Sequence, residues 1–155
     1  MSEEEIFERL FTILKMSNDT KGAVSACLVR GGEILAEGVS TSQSVHAEYA
    51  LLKNLEETGE LVQENDTVYT TVEPCGKRSS GGLGEKMGDC TTNLIKAGVK
   101  NVVFAASDPD ASDLSRHKFR EASAVLKKTE NEEIVRNAIV SFNATCADSL
   151  DWLPS

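Results

Sequence analysis

Four residues have the types and spacing for metal-assisted chemistry: His46, Glu48, Cys75 and Cys90. One imidazole and two thiolates make a good zinc set, and three protein ligands leave the fourth tetrahedral position for water, the pattern of a catalytic site. Zinc lowers the pKa of bound water from 15.7 toward about 7, but a further group must still carry its proton to the leaving group. Glu48 is the only carboxylate immediately beside His46. Each residue also has a plainer reading. His46 and Glu48 suit a helix terminus, where the dipole favours a carboxylate, and Cys75 and Cys90 would suit a disulfide in an oxidising compartment.

The elements that must position these residues can be read from periodicity. Ser2 stands three residues before Glu5, the spacing of a capping box, and Ile6, Phe7, Leu10, Phe11 and Leu14 share one face. This predicts a first helix ending near Asn18. Two apolar, β-prone runs flank Gly31 and Gly32, predicting a hairpin with strands at about 23–30 and 33–39. Ala47, Ala50, Leu51 and Leu55 form one helical stripe that Gly59 can stop, so His46 opens the second helix.

The runs "DTVYTTV" and "KNVVFAA" predict interior strands, and Cys75 follows the first directly. Asp89 is a suitable N-cap for a helix carrying Leu94, Ile95 and Ala97 and closed by Gly98, so Cys90 opens that helix. A short helix near 114–122, an edge strand "AVLKK" and a last helix follow. The last helix starts at the capping-box pair Thr129 and Glu132, with Ile134, Val135, Ala138, Ile139, Phe142 and Cys146 on its stripe. The class is therefore α/β, with a mixed five-stranded sheet covered by helices on both faces. Junctions at one end of such a sheet converge, and helix amino termini stabilise thiolates through free N–H groups and the dipole.

Length and composition bound the function. At 155 residues the chain suits one domain, and 40% apolar with 26% charged residues is a globular composition. A net charge of −9 argues against non-specific nucleic-acid binding and for a small-molecule partner. No apolar run is long enough to cross a bilayer, and "MSEEEIFERL" is acidic where a targeting peptide is basic, so a cytoplasmic location is expected. Cys27 and Cys146 read as core thiols, and His117 in "DLSRHKFR" as solvent-facing. Trp152, in the tail "DSLDWLPS", can pack on a partner subunit or on its own domain. The glycine-rich "SSGGLG" lacks the Lys-Ser/Thr of a phosphate-cradling loop. Lys77 and Arg78 form a basic pair near the site, and Arg grips phosphate bidentately, so the pair is expected to hold a substrate phosphate.

"HAE" at 46–48, "EPC" at 73–75 and a cysteine opening a helix resemble the signature of the cytidine deaminase superfamily, H-x-E followed by P-C-x-x-C. The resemblance extends over about residues 1–145, leaving 146–155 as a tail. It implies a three-layer α/β/α sandwich and a Zn2+ cofactor, with His46, Cys75 and Cys90 as zinc ligands and Glu48 as proton shuttle. Fourteen residues separate Cys75 from Cys90 where most of the superfamily has two; five of them are glycines, which lets the segment double back.

A lengthened loop followed by "LIKAGVKNVVFAASDPD" and later "NAIVSFN" is similar to the pyrimidine deaminases of riboflavin biosynthesis, although this insertion lacks their histidines. That likeness implies a phosphorylated diamino-pyrimidine substrate. Cytidine, deoxycytidylate or a tRNA adenosine is the alternative, with tRNA disfavoured by the acidic charge. Asn18 precedes "KGAVSACL" much as a ribose-contacting Asn does in similar enzymes. The superfamily's habit of assembly implies a homo-oligomer. A non-catalytic deaminase-like scaffold is a different class of reading, against which Glu48 speaks, since a purely structural zinc site needs no base.

Overall fold

The structure, a computed structural model, describes residues 1–76, 87–109, 112–147 and 152–154. The chain begins with α1 (Glu3–Leu14), the hairpin β1 (Ser25–Arg30) and β2 (Glu33–Val39), and α2 (Ala47–Glu57). It continues through β3 (Thr67–Val72), α3 (Cys90–Ala97), β4 (Asn101–Ala106), α4 (Ser112–Glu121), β5 (Val125–Lys128) and α5 (Glu132–Thr145). Gly31 and Gly32 turn the hairpin with φ of 59° and 79°, angles that suit glycine in a two-residue turn.

The five strands form one sheet in the order β2-β1-β3-β4-β5. β1 runs antiparallel to β2 and β3, while β3, β4 and β5 are parallel. Alternation along the strands sends side chains to two cores, as the two-residue period requires. On one face Cys27, Val29 and Ala105 meet Phe7 and Leu10 of α1 and Ile134 and Ala138 of α5. On the other, Ala26, Leu28, Val68 and Val102 meet Leu51 of α2, Leu94 of α3 and Phe119 of α4. The architecture is the expected α/β/α sandwich. Among the described residues, no helix is long and apolar enough to cross a membrane.

Three boundaries differ from the sequence reading. α1 ends at Leu14, short of Asn18, because the apolar stripe runs out there; Ser17 instead donates its hydroxyl to the Ser40 carbonyl at 2.6 Å. α5 is capped by Asn131 rather than Thr129. The Asn131 side chain accepts from the amides of Glu133 and Ile134, while the Thr129 hydroxyl donates to Glu3 and its amide extends the sheet by donating to the Phe104 carbonyl. α4 begins at Ser112, two residues before the predicted start.

The described part of the tail docks on its own domain. Leu153 is buried in the α1–α5 core, its backbone paired with the Asn143 side chain, and the Trp152 indole donates to the Cys146 carbonyl.

Candidate metal centre

The site lies beyond the carboxyl ends of the parallel strands, where open α/β sheets place their ligands. α2 reaches it by lying hard against β2 at Gly38. A Cβ at that position would collide with the Ala47 carbonyl and the Leu51 amide, so only glycine permits this approach. His46 is the N-cap residue of α2, in extended conformation, and its side chain makes no capping bond. The imidazole faces Cys75 and Cys90 instead. The preceding turn is tied by Thr41 N–H to the Val45 carbonyl at 2.9 Å and by Ser42 N–H to Asn18 Oδ1 at 3.0 Å.

Cys75 follows β3 and Cys90 opens α3, as the periodicity predicted. His46 Nδ1 lies 3.2 Å from Cys90 Sγ and 3.5 Å from Cys75 Sγ, and the Cys90 amide donates to Cys75 Sγ at 3.3 Å. The three ligand atoms all fall within 4.8 Å of one another. Among the described residues, no other group of His, Cys, Asp and Glu side chains converges in this way. One nitrogen and two sulfurs this close together fit a zinc ion, whose fourth tetrahedral position would fall to a non-protein ligand. No cysteine is in a disulfide.

The two neighbouring thiols move each other's proton affinities in opposite directions. Cys75 is drawn down to about 4, chiefly by the hydrogen bond from the Cys90 thiol, with His46 and the Cys90 amide helping against burial. Cys90 is pushed up by its hydrogen bond with Cys75 and by its own burial. A cation at the centre favours the fully ionised pair.

Glu48, on the first turn of α2, is 3% exposed. Burial pushes its carboxyl up from the ordinary value, against the lowering effect of His46 and of its hydrogen bond with Cys90. The Thr70 hydroxyl offers one proton to both Glu48 Oε1 at 3.3 Å and the Val72 carbonyl at 2.9 Å, so Glu48 receives only a share of it. A buried carboxyl beside a metal centre, with its proton affinity raised, is suited to moving protons.

Helix α4 carries supporting residues that periodicity did not reveal. Gly76 packs so tightly on it that a Cβ would sit 2.8 Å from the Ser115 amide nitrogen. The buried Ser115 and Thr91 hydroxyls are 2.9 Å apart, and Arg116 pairs with the buried Glu73 of "EPC" at 3.3 Å. Lys118 reaches both the Gly76 carbonyl and Asp89. His117, expected to face solvent, does so, with its side chain 62% exposed. The usable signal was Ser115, Lys118 and Phe119 at i, i+3 and i+4, one stripe in which the only apolar member is the buried Phe119.

The structure thus brings together His46, Glu48, Cys75 and Cys90. Lys77 and Arg78 lie outside the described residues. Cys27 is a core thiol as expected, its thiol pushed up to about 12 by burial, and Cys146 is buried at the end of α5.

Residues 1–106 match the cytidine and deoxycytidylate deaminase zinc-binding region family, and the chain belongs to that family. It is 38% identical over 96 residues to the riboflavin biosynthesis protein RibD of Corynebacterium ammoniagenes, an alignment covering 61% of this chain and 25% of that protein. It is 34% identical over 124 residues to the chloroplastic riboflavin biosynthesis protein PYRD of Arabidopsis thaliana, covering 77% and 26%. The chain therefore spans about a quarter of the length of these curated relatives. A solved structure from Thermotoga maritima, a diaminohydroxyphosphoribosylaminopyrimidine deaminase/5-amino-6-(5-phosphoribosylamino)uracil reductase, superposes with a TM-score of 0.70 at 28% identity. It covers 87% of this chain and 38% of its own.

Proposed function

We propose that this chain is a zinc-dependent hydrolytic deaminase of an amino-substituted pyrimidine, acting on the phosphorylated diamino-pyrimidine intermediate of riboflavin biosynthesis. The observation that carries the reading is the buried Glu48 set beside His46, Cys75 and Cys90. A structural zinc site would gain nothing from burying a carboxyl there. His46, Cys75 and Cys90 would hold the metal, which supplies a nucleophilic water at neutral pH.

The chain's own part is proton transfer. Glu48 takes a proton from the attacking water as its oxygen bonds to the amidine carbon, and passes it to the ring nitrogen. The carbon–nitrogen bond to the exocyclic amine then breaks, Glu48 delivers the second water proton to that nitrogen, and ammonia leaves. The products are the ring carbonyl and ammonia, with no net change of oxidation state.

Asn18 is assigned to the substrate's ribose portion. Its Oδ1 is anchored by the Ser42 amide in the turn that leads to His46, which supports a place at the rim. Lys77 and Arg78 are assigned to the phosphate, on the chemistry of their side chains and their position just after Cys75. The riboflavin substrate is favoured by the two curated relatives and the Thermotoga maritima protein. We also assign a cytoplasmic location and a homo-oligomeric state.

The deciding experiment combines metal analysis with ammonia release from a panel containing the phosphorylated diamino-pyrimidine, cytidine and deoxycytidylate. One zinc per chain and turnover of the first compound are expected. Zinc with no ammonia from any of them would overturn the catalytic reading. Replacing Lys77 and Arg78 by alanine together should raise KM for the phosphorylated substrate, and an unchanged KM would remove them from the site.

A further inference from the structure

The Lys118 ammonium has three N–H donors, and three acceptors lie within their reach. It donates to the Gly76 carbonyl at 2.8 Å, to Asp89 Oδ1 at 3.2 Å and to Thr92 Oγ1 at 3.3 Å. Gly76 is the residue after Cys75, Asp89 is the residue before Cys90, and Thr92 lies in the first turn of α3. One side chain from α4 therefore joins the departure and return points of the chain between the two thiols.

Asp89 is itself built into this junction. Its two carboxylate oxygens accept from the Thr92 amide at 2.8 Å and the Thr92 hydroxyl at 2.9 Å, so it caps α3 while receiving Lys118. Burial pushes the Asp89 carboxyl up, yet Thr92 and Lys118 together hold it below its usual range. A separation of two residues would fix the relative position of two cysteines by covalent geometry alone. A separation of fourteen does not, because the entropy of a chain grows with its length. Contacts between the two ends supply constraint: the Thr91 amide donates to the Cys75 carbonyl at 3.0 Å, and Lys118 ties Gly76 to Asp89 beside it.

We infer that Lys118 is a positioning residue that holds the Cys75 and Cys90 thiolates at metal-binding distance by clamping Gly76 to Asp89 across α4. The inference rests on the zinc-site reading above. Lys118 does not touch the ligand atoms; it acts through the backbone on either side of them. Groups bonded directly to metal ligands typically alter metal affinity by about 10–100-fold when removed, and Lys118, one step further out, is expected at the low end of that range.

The test is zinc retention by the full chain against a competing chelator, with the thermal midpoint of the metal-free protein measured alongside. Lys118→Met should lose zinc at least about tenfold more readily than the parent, a larger loss than the fall in its metal-free midpoint accounts for. Lys118→Arg, which keeps the charge and several donors, should recover most of the retention. Zinc retention within twofold of the parent in Lys118→Met would overturn the inference. So would a weakening matched by an equal fall in metal-free stability, which marks a general structural role. Should Lys118→Met not fold, Lys118→Gln serves in its place under the same two criteria. A parent chain that binds no zinc would instead refute the site assignment itself, an outcome distinct from either of these.

Discussion

Two buried acids near opposite ends of strand β3 have opposite surroundings. Asp66, just before the strand, is 1% exposed and fully matched. Arg30 approaches with Nε 2.8 Å from Oδ1 and Nη2 2.9 Å from Oδ2, and the Gln63 amide donates to Oδ2 at 2.7 Å. The guanidinium chiefly holds the Asp66 carboxyl below its ordinary range. Glu48, beyond the strand's carboxyl end, has a shared hydroxyl and a thiol where Asp66 has a bidentate cation, and its proton affinity is raised. A matched acid stabilises the fold, whereas an under-compensated one costs stability, the pattern expected of a carboxyl placed to move a proton.

The contrast can be broken most completely by removing a ligand. Cys90→Ala should leave the purified chain with no stoichiometric zinc and no deaminase turnover, read by metal analysis and ammonia release. Glu48→Gln is the sharper test, because it separates the two properties. Turnover should fall by about 10²–10⁴-fold while zinc stays bound.

The same Glu48 substitution should raise the stability of the metal-free protein. A carboxyl whose folded pKa lies above its unfolded value of 4.5 contributes stability at low pH that is lost as pH rises from 4.5 through the folded value. Glutamine has no such loss. The stability advantage of Glu48→Gln should therefore open as pH rises above 4.5, and denaturant unfolding at pH 4 and pH 8 would show it. An advantage that is the same at both pH values would contradict the burial argument.

Gly76→Ala probes the packing of the metal-site end against α4. Its Cβ would press on the Ser115 backbone rather than on a flexible side chain, so the cost should be about 1–3 kcal/mol. The displacement falls one residue from Cys75, so zinc retention should weaken with it. Retained stability and zinc would mean that the Gly76–α4 contact gives way easily.

How far these features could be read from the sequence depends on the range of the interaction that creates them. His46, Cys75 and Cys90 were legible because each falls at the end of a periodic element, and local periodicity locates such ends. Their convergence followed from parallel strands sharing one end. The Asn131 cap was missed because Thr129 has the right spacing but is claimed by Glu3, 126 residues away in sequence. Lys118 was missed for a related reason. Its partners, Gly76, Asp89 and Thr92, are 26 to 42 residues distant, and a polar helix face has the same composition whether it meets solvent or backbone carbonyls. The Gly38 contact was equally silent, since a glycine in a strand reads as a local weakness until the helix above it is placed.

The smallest effect on chemistry should come from the other acid. Asp66→Asn removes the anion that Arg30 grips but leaves the site at the far end of β3 untouched, so zinc content, kcat and KM should match the parent. Stability should fall at neutral pH, because the guanidinium loses its buried anionic partner and keeps only the exposed Glu60, 3.0 Å from Nη1, while Gln63 and Leu61 stay where they are. The sign of the pH dependence is opposite to that of Glu48. The Asp66 carboxyl titrates below its unfolded value of 3.8, so its contribution is complete above that pH and is lost as pH falls through the folded value. The parent and Asp66→Asn should therefore differ by several degrees in thermal midpoint at pH 7 and converge below pH 3.8. A difference that persists unchanged into acid would mean that the amide disturbs packing rather than charge, and the two acids would then no longer be opposites.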